Sequence, residues 1–365
     1  MSNDPTDGYQ TTEVLRVADV ATDAAAIAHA AALLRAGKLV AFPTETVYGL
    51  GADATSAEAV SGIFSAKGRP FHDPLIVHIA EESWLANVAE NVPELARRLA
   101  ERFWPGPLTL VLPRGPRIPP LVTAGGPTVG ARLPAHPVAR ALIAAAGVPI
   151  AAPSANRFMH TSPTTAAHVL ADLDGRIACV LDGGPCAVGV ESTVVDLTTT
   201  PPSLLRPGGV GAEALREIMP DLALPAEQVV PALTTDAPAR APGQLERHYA
   251  PRARLIVFDG DGPAATHAVV EAVRAAVARG ERVGALISDE EAPALATLEA
   301  LVVTLGPSGD LPAIARNLYA RLRHLDDSSV ELIVTHTFAG NELGLALRDR
   351  LRRAAGGRLT PLPMV

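Results

Sequence analysis

From residue 254 to 355 the sequence alternates short apolar runs with amphipathic stretches. LIVF precedes 263–279, RVGALIS precedes 293–300, VVTLG precedes 311–324 and ELIVTH precedes 343–355. Runs that short are buried only as strands, and the stretches between them are long enough for helices. Strand and helix in strict turn are the signature of a parallel sheet covered by helices. The pattern predicts a small Rossmann-like α/β domain over 253–365. Its first strand leads into Asp259-Gly260-Asp261-Gly262 rather than GxGxxG, so a dinucleotide fingerprint is missing.

Upstream the rhythm is looser. Helices are predicted over 24–35, with Gly37 as the stop, and over 56–66, with Ser56 as N-cap. Others follow over 93–103, over 136–146 and from Pro163 onward. Strands are predicted in LVAFPT, PLIVHIA, LTLVLP, TVGARLP, VPIAAPSAN, IACVLDGG, STVVDLT and SLLRPG. Without a regular βαβ order, a mixed twisted sheet with helices is expected over 14–217. Residues 1–13 read as a flexible lead-in. Between the two blocks, 218–252 is rich in Pro, Ala and polar residues and reads as a linker. Thirty glycines and 33 prolines suit a loop-rich α/β enzyme and argue against a helical bundle.

The formal net charge is -8, the wrong sign for a protein whose main work is gripping phosphate backbones. Two cysteines, Cys179 and Cys186, make neither a CxxC pair nor a zinc set and are expected as buried thiols. No signal-peptide core and no membrane-length apolar run is visible, so a soluble cytoplasmic protein is expected.

Five segments carry polar groups at strand ends. In FPTETVYGLGADA, hydroxyls and a glutamate precede two glycines. KGRP holds Lys67 and Arg69 two apart, a compact charge beside a planar fork, as a polyphosphate needs. PSAN offers Ser154 and Asn156. DGGPCAVGVESTVVD offers Glu191, Ser192 and Thr193 behind glycines, and LLRPG ends on Arg206. There is no P-loop. Taken singly, each segment reads equally as a capped turn or a solvated basic loop.

Together and in this order, FPTETVYGLG, IFSAKGRP with PLIVHI, RFWPGPLTLVL, VGARLP, PSAN, SPTTAAHV, GGPCAVGVESTVVD and LLRPG resemble the YrdC/Sua5 family of threonylcarbamoyl-adenylate synthases. APGQLERHYAP and the α/β tail extend the resemblance to that family's long two-domain branch. It implies condensation of L-threonine, bicarbonate or CO2, and ATP to threonylcarbamoyl-AMP and pyrophosphate, a nucleotidyl transfer assisted by Mg²⁺. A downstream transferase complex would then pass the group to tRNA. No membrane partner and no strong direct nucleic-acid binding are expected.

The resemblance assigns Lys67, Arg69, Ser154 and Asn156 to the triphosphate and its metal as the catalytic set. Asp73, Thr128, Ser162 and Arg206 join them on the nucleotide. Thr46, His78, Arg132, Ala152 and Ser192 are assigned to threonine, with Arg132 pairing its carboxylate. Mg²⁺ would be held through phosphates. His248 and Tyr249 are either a lid over the site or a point where the linker docks. Two departures are visible. Asp73 stands where the family often has Asn, and the loop 157–161 carries no glycine. One competing reading is carbamoyl transfer in hydrogenase maturation, which brings Cys-rich zinc motifs that are missing here. Another is a non-catalytic RNA-binding module, which the acidic balance opposes.

Overall fold

The computed structural model describes residues 11–225, 242, 248–340 and 343–363. The chain forms two compact units. One comprises Met1–Phe158, Ser162–Ala187 and Glu191–Gln244; the other comprises Met159–Thr161, Val188–Val190 and Leu245–Val365. Most of the expected linker, including 226–241 and 243–247 with much of the APGQLERHYAP motif, lies outside the described residues.

The first unit runs β1 (Glu13–Arg16), α1 (Ala24–Arg35), β2 (Val40–Phe42), β3 (Gly49–Asp53), α2 (Ala57–Lys67), β4 (Ile76–His78), α3 (Leu85–Val88), α4 (Glu94–Phe103) and β5 (Leu108–Pro113). It continues through β6 (Thr128–Arg132), α5 (Pro137–Ala146), β7 (Ile150–Ala151), α6 (Ala166–Leu173), β8 (Cys179–Asp182), β9 (Thr193–Asp196), β10 (Ser203–Arg206) and α7 (Ala212–Arg216). These described strands form one mixed sheet in the order β1-β8-β2-β3-β7-β4-β6-β5-β9-β10.

Helix starts follow local chemistry. Ser56 accepts from the Ala59 amide at 3.2 Å, and His136 accepts from Val138 with Pro137 in the first turn of α5. Ile27 and Leu34 of α1 pack with Leu142 and Ile143 of α5 on Phe42 and Leu181 of the sheet. Each such buried side chain contributes roughly 1.5–3 kcal/mol. The helix expected from Pro163 begins only at Ala166. Thr165 caps it by accepting from His168, and the Pro163 carbonyl accepts instead from the Tyr48 amide. β1 starts at Glu13, inside the stretch read as lead-in.

The second unit runs β11 (Arg254–Asp259), α8 (Gly262–Ala278), β12 (Val283–Ile287), β13 (Ala300–Thr304), α9 (Leu311–Asp327), β14 (Leu332–His336), α10 (Leu343–Ala354) and β15 (Thr360–Pro361). The described strands pair in the order β13-β12-β14-β11-β15, all parallel. The helix expected over 293–300 is absent from these residues. A 3₁₀ turn spans Asp289–Leu295 instead, started by the Ser288/Glu291 capping box, while Ala300 pairs with Val283 as the first residue of β13.

Candidate active site

Strand register gathers the polar groups of the first unit on one face. Along β6, Thr128, Gly130 and Arg132 point the same way, because strand side chains alternate. Parallel pairing sets Ile76 of β4 beside Gly130 and His78 beside Arg132. Antiparallel pairing sets Val111 of β5 opposite Gly130, which puts Thr109 on the same face. Val194 of β9 pairs with Thr109. A cavity of about 370 Å³ lies on this face, walled by Ile76, Thr109, Val111, Thr128, Gly130 and Val194, with Pro74 and Pro242 at its rim. Gly130 keeps it open: a Cβ there would stand 3.2 Å from Thr109 Cγ2 and 3.6 Å from Ile76 Cγ1.

Beyond that cavity along β6 stands Arg132, 4% exposed. Its Nη2 lies 2.6 Å from Glu45 Oε1, its Nη1 donates to Thr46 Oγ1 at 3.0 Å, and its Nε donates to Gly106 O at 3.2 Å. Glu45 is held in turn by the Ala135 amide at 3.0 Å. Hydrogen bonds thus engage two of the five N–H donors of the guanidinium, while Nη2 meets Glu45 as an ion pair only, so three N–H groups remain for a carboxylate. His78 beside it is fully buried. Burial, then the Arg132 charge, push its imidazole down to about 3, so the ring is neutral. Its Nδ1 makes no hydrogen bond among the described residues. Ala152 donates its amide to Ile76 O at 2.9 Å, so its carbonyl is what remains for a ligand.

The cationic side is built around the end of α2. Lys67 is the helix's last residue rather than part of an extended loop. Gly68, left-handed at φ 64°, turns the chain so that Arg69 follows directly. Lys67 Nζ donates to Ser154 O at 2.5 Å and to Asn156 O, which joins the PSAN segment to the helix. Arg69 donates to Asp73 O at 3.2 Å and Pro74 O at 2.8 Å, and its Nη2 lies 2.9 Å from Asp73 Oδ2. Burial raises the Asp73 carboxyl above its ordinary range, although Arg69, His72 and Lys67 pull it the other way.

Two further hydrogen-bonded sets flank the face. Ser162 donates to Glu191 at 2.6 Å. Ser192 shares a 2.8 Å hydroxyl contact with Thr109, while Arg206 donates to Ser192 O at 3.1 and 2.9 Å, to Ser192 Oγ at 3.1 Å and to Pro242 O at 3.1 Å. Ser192 and Arg206, assigned by resemblance to different substrates, are thus one unit. His248 and Tyr249 belong to the second unit. They are 5% and 1% exposed, with Tyr249 ringed by His248, Tyr319 and Arg350 at 4.0, 5.8 and 5.3 Å. Their segment also pairs with the loop lacking glycine: Ala250 donates to Met159 O at 2.9 Å, and Met159 itself takes the left-handed φ of 69°.

Sequence reasoning passed over Thr109, and it gave Glu45 and Glu191 no role beyond membership of polar segments. Thr109 carried a signal as the one hydroxyl in the apolar strand LTLVLP. Among the described residues there is no cluster of three His, Cys, Asp or Glu able to hold a metal, and no helix is long and apolar enough to cross a membrane.

Known proteins are similar to this one over nearly the whole chain. The Sua5–YciO–YrdC family profile, described as telomere recombination, matches residues 32–208, and the profile of the threonylcarbamoyl-AMP synthase C-terminal domain matches 210–356. A threonylcarbamoyl-AMP synthase of Pyrococcus abyssi is 45% identical, covering 90% of this chain and 94% of its own. One of Bacillus subtilis is 44% identical, covering 93% and 96%. The crystal structure of P. abyssi Sua5 complexed with L-threonine superposes with a TM-score of 0.87 at 43% identity, over 96% of this chain and 99% of that one. Two domain matches in series and relatives aligned almost end to end place the chain in the YrdC/Sua5 family, in the branch that carries the Sua5 C-terminal domain.

Proposed function

We infer that the chain is an L-threonylcarbamoyl-AMP synthase, a nucleotidyltransferase that supplies the intermediate for threonylcarbamoylation of tRNA. The neutral amine of L-threonine adds to CO2 and sheds a proton to become a carbamate; from bicarbonate the same carbamate forms with loss of water and no net proton. A carbamate oxygen forms a bond to the α-phosphorus of ATP. The bond from that phosphorus to the bridging oxygen breaks, and pyrophosphate leaves with the electron pair. Such chemistry asks for alignment of two anionic reactants and neutralisation of charge, with no covalent protein nucleophile.

The observation that carries this reading is the row Thr128–Gly130–Arg132 on one face of β6. It joins a cavity of about 370 Å³ to a buried cation beside small hydroxyl and carbonyl groups. In this reading Arg132 binds the threonine carboxylate through N–H donors that its protein partners leave over, with Glu45 and Thr46 fixing its plane. Neutral His78, too weak a base to remove the amine proton, orients threonine by hydrogen bonding alongside the Ala152 carbonyl and Ser192. Lys67, Arg69, Ser154 and Asn156 face the triphosphate. Thr128, Ser162, Arg206 and Asp73 complete the nucleotide end. Mg²⁺ fits as an ion arriving on the phosphates, with Asp73 the acid nearest the cationic pair, and when bound it would offset phosphate charge. His248 and Tyr249 are retained as a candidate lid, which would keep water from a labile mixed anhydride.

Release of pyrophosphate from ATP tests the reading. Release is expected only when L-threonine and bicarbonate are both present. Turnover with either one omitted, or tight tRNA binding without turnover, would reject it.

A further inference from the structure

The second unit contains a cavity of about 810 Å³ that none of the chemistry above uses. It opens at the carboxyl ends of β11, β12 and β14, the edge at which parallel α/β sheets hold their ligands. Its volume falls within the usual range for small-molecule sites. Val270, Ala294, Phe338 and Ala339 give it apolar walls.

At its inner end stands a buried ion pair. His336 is 3% exposed, and both its ring nitrogens face acceptors: Nε2 lies 2.8 Å from Glu291 Oε1, and Nδ1 lies 2.6 Å from Thr337 O. A ring meeting two acceptors carries two protons, so His336 is an imidazolium and Glu291 its carboxylate. Glu291 also accepts from Ser288 Oγ and Thr266 Oγ1, each at 2.6 Å. Burial works against both charges. For His336 the Glu291 contact still raises the imidazole above its ordinary value. For Glu291 the His336, Ser288 and Thr266 hydrogen bonds carry the carboxyl down to about 2.

The pair cancels its own charge and stiffens the cavity floor. What remains along the wall is Glu290, whose Oε2 accepts from the Ser308 amide at 2.9 Å, and Asp261, which makes no side-chain cap on α8. The field inside is therefore negative. It opposes phosphate and carboxylate groups and favours a positive one.

We propose that this crevice is a second binding site, taking a protonated amine carried on an apolar or aromatic body. The amine pairs with Glu290 and Asp261, and the body packs on Val270, Ala294 and the Phe338 ring, where a cation–π contact adds to the attraction. The proposal rests on the second unit alone and is independent of the reaction assigned to the first.

Three indoles that differ in charge test it: tryptamine, N-acetyltryptamine and indole-3-propionate. Each is titrated calorimetrically into the full chain at low salt and about pH 8. Tryptamine is expected to bind about tenfold or more tighter than the acid, with the neutral analogue between them. Glu290→Gln keeps the acceptor for Ser308 and should bring tryptamine to the level of the neutral analogue. Ala294→Trp fills the cavity from an exposed position and should abolish binding of all three while leaving pyrophosphate release intact. No tryptamine binding, equal affinity for the three probes, preference for the acid, or tryptamine binding that survives Ala294→Trp would each overturn the proposal.

Discussion

Replacing Arg132 by alanine would strip Glu45 of its counter-ion along with any ligand contact. An orphaned buried carboxylate costs about 3–5 kcal/mol, so that variant would report on folding as much as on binding. Arg132→Lys is the better probe. It keeps the charge but loses the planar fork, and threonine affinity should fall at least about tenfold while ATP affinity stays within about threefold. Lys67→Ala should give the opposite split, since its ammonium sits with the PSAN carbonyls. Calorimetric titration of each ligand into each variant measures both. Asp73 makes a separate prediction. Its carboxyl is buried against Arg69, and burial disfavours the charge it carries near an anionic substrate. Asp73→Asn should tighten ATP binding several-fold at neutral pH. The parent should gain ATP affinity as the pH is lowered toward the raised carboxyl value, and the variant should not. ATP titrations over a pH series would show whether the two curves converge.

β3 shows where elements could and could not be read from sequence. Its residues, GLGAD, looked like a ligand loop because glycine is depleted in strands. They form an inner strand between β2 and β7, and the glycine that hid the strand is what makes it fit. A Cβ on Gly51 would come within 2.8 Å of Phe42 and 2.9 Å of Ile150. Gly51→Ala should therefore cost about 1–3 kcal/mol through overpacking, read as a lower denaturant midpoint with an unchanged slope. Strongly periodic elements were legible. α1 spans the stretch predicted from its apolar spacing, and β11, β12 and β14 follow their apolar runs. The failures sit where long-range pairing outweighed local pattern, as at Ala300, drawn into β13 by Val283. The site divides the same way. Motif residues could be named one by one, but the Glu45–Arg132 pair joins residues 87 positions apart. The Thr109–Ser192 contact depends on the register between β5 and β9.

Over the whole molecule, two buried histidines, one in each unit, should answer acid in opposite directions. In the first, His78 titrates at about 3 when folded and near 6.5 when unfolded, so the unfolded chain binds the proton first. Its contribution is present at neutral pH and is lost as the pH falls from 6.5 toward 3. In the second, His336 is raised by Glu291. Its stabilisation is fully present below the unfolded value of 6.5 and is lost as the pH climbs through the folded one. Glu291, lowered to about 2, holds its share above 4.5 and loses it only below that. Between pH 5 and 6.5 the His336–Glu291 pair should thus be at full strength while the His78 contribution is already falling. His336→Gln should cost about 3 kcal/mol at pH 6 and less at pH 9, measured by denaturant unfolding followed by a probe placed in each unit.

Gly130 carries a consequence of a different kind. No side chain donates or accepts at that position; it governs the groove by withholding a methyl group between Thr109 and Ile76. The free space of the groove can therefore change without altering a single polar contact. A catalogue of hydrogen-bonding residues would miss the position where one added methyl group narrows the groove most directly.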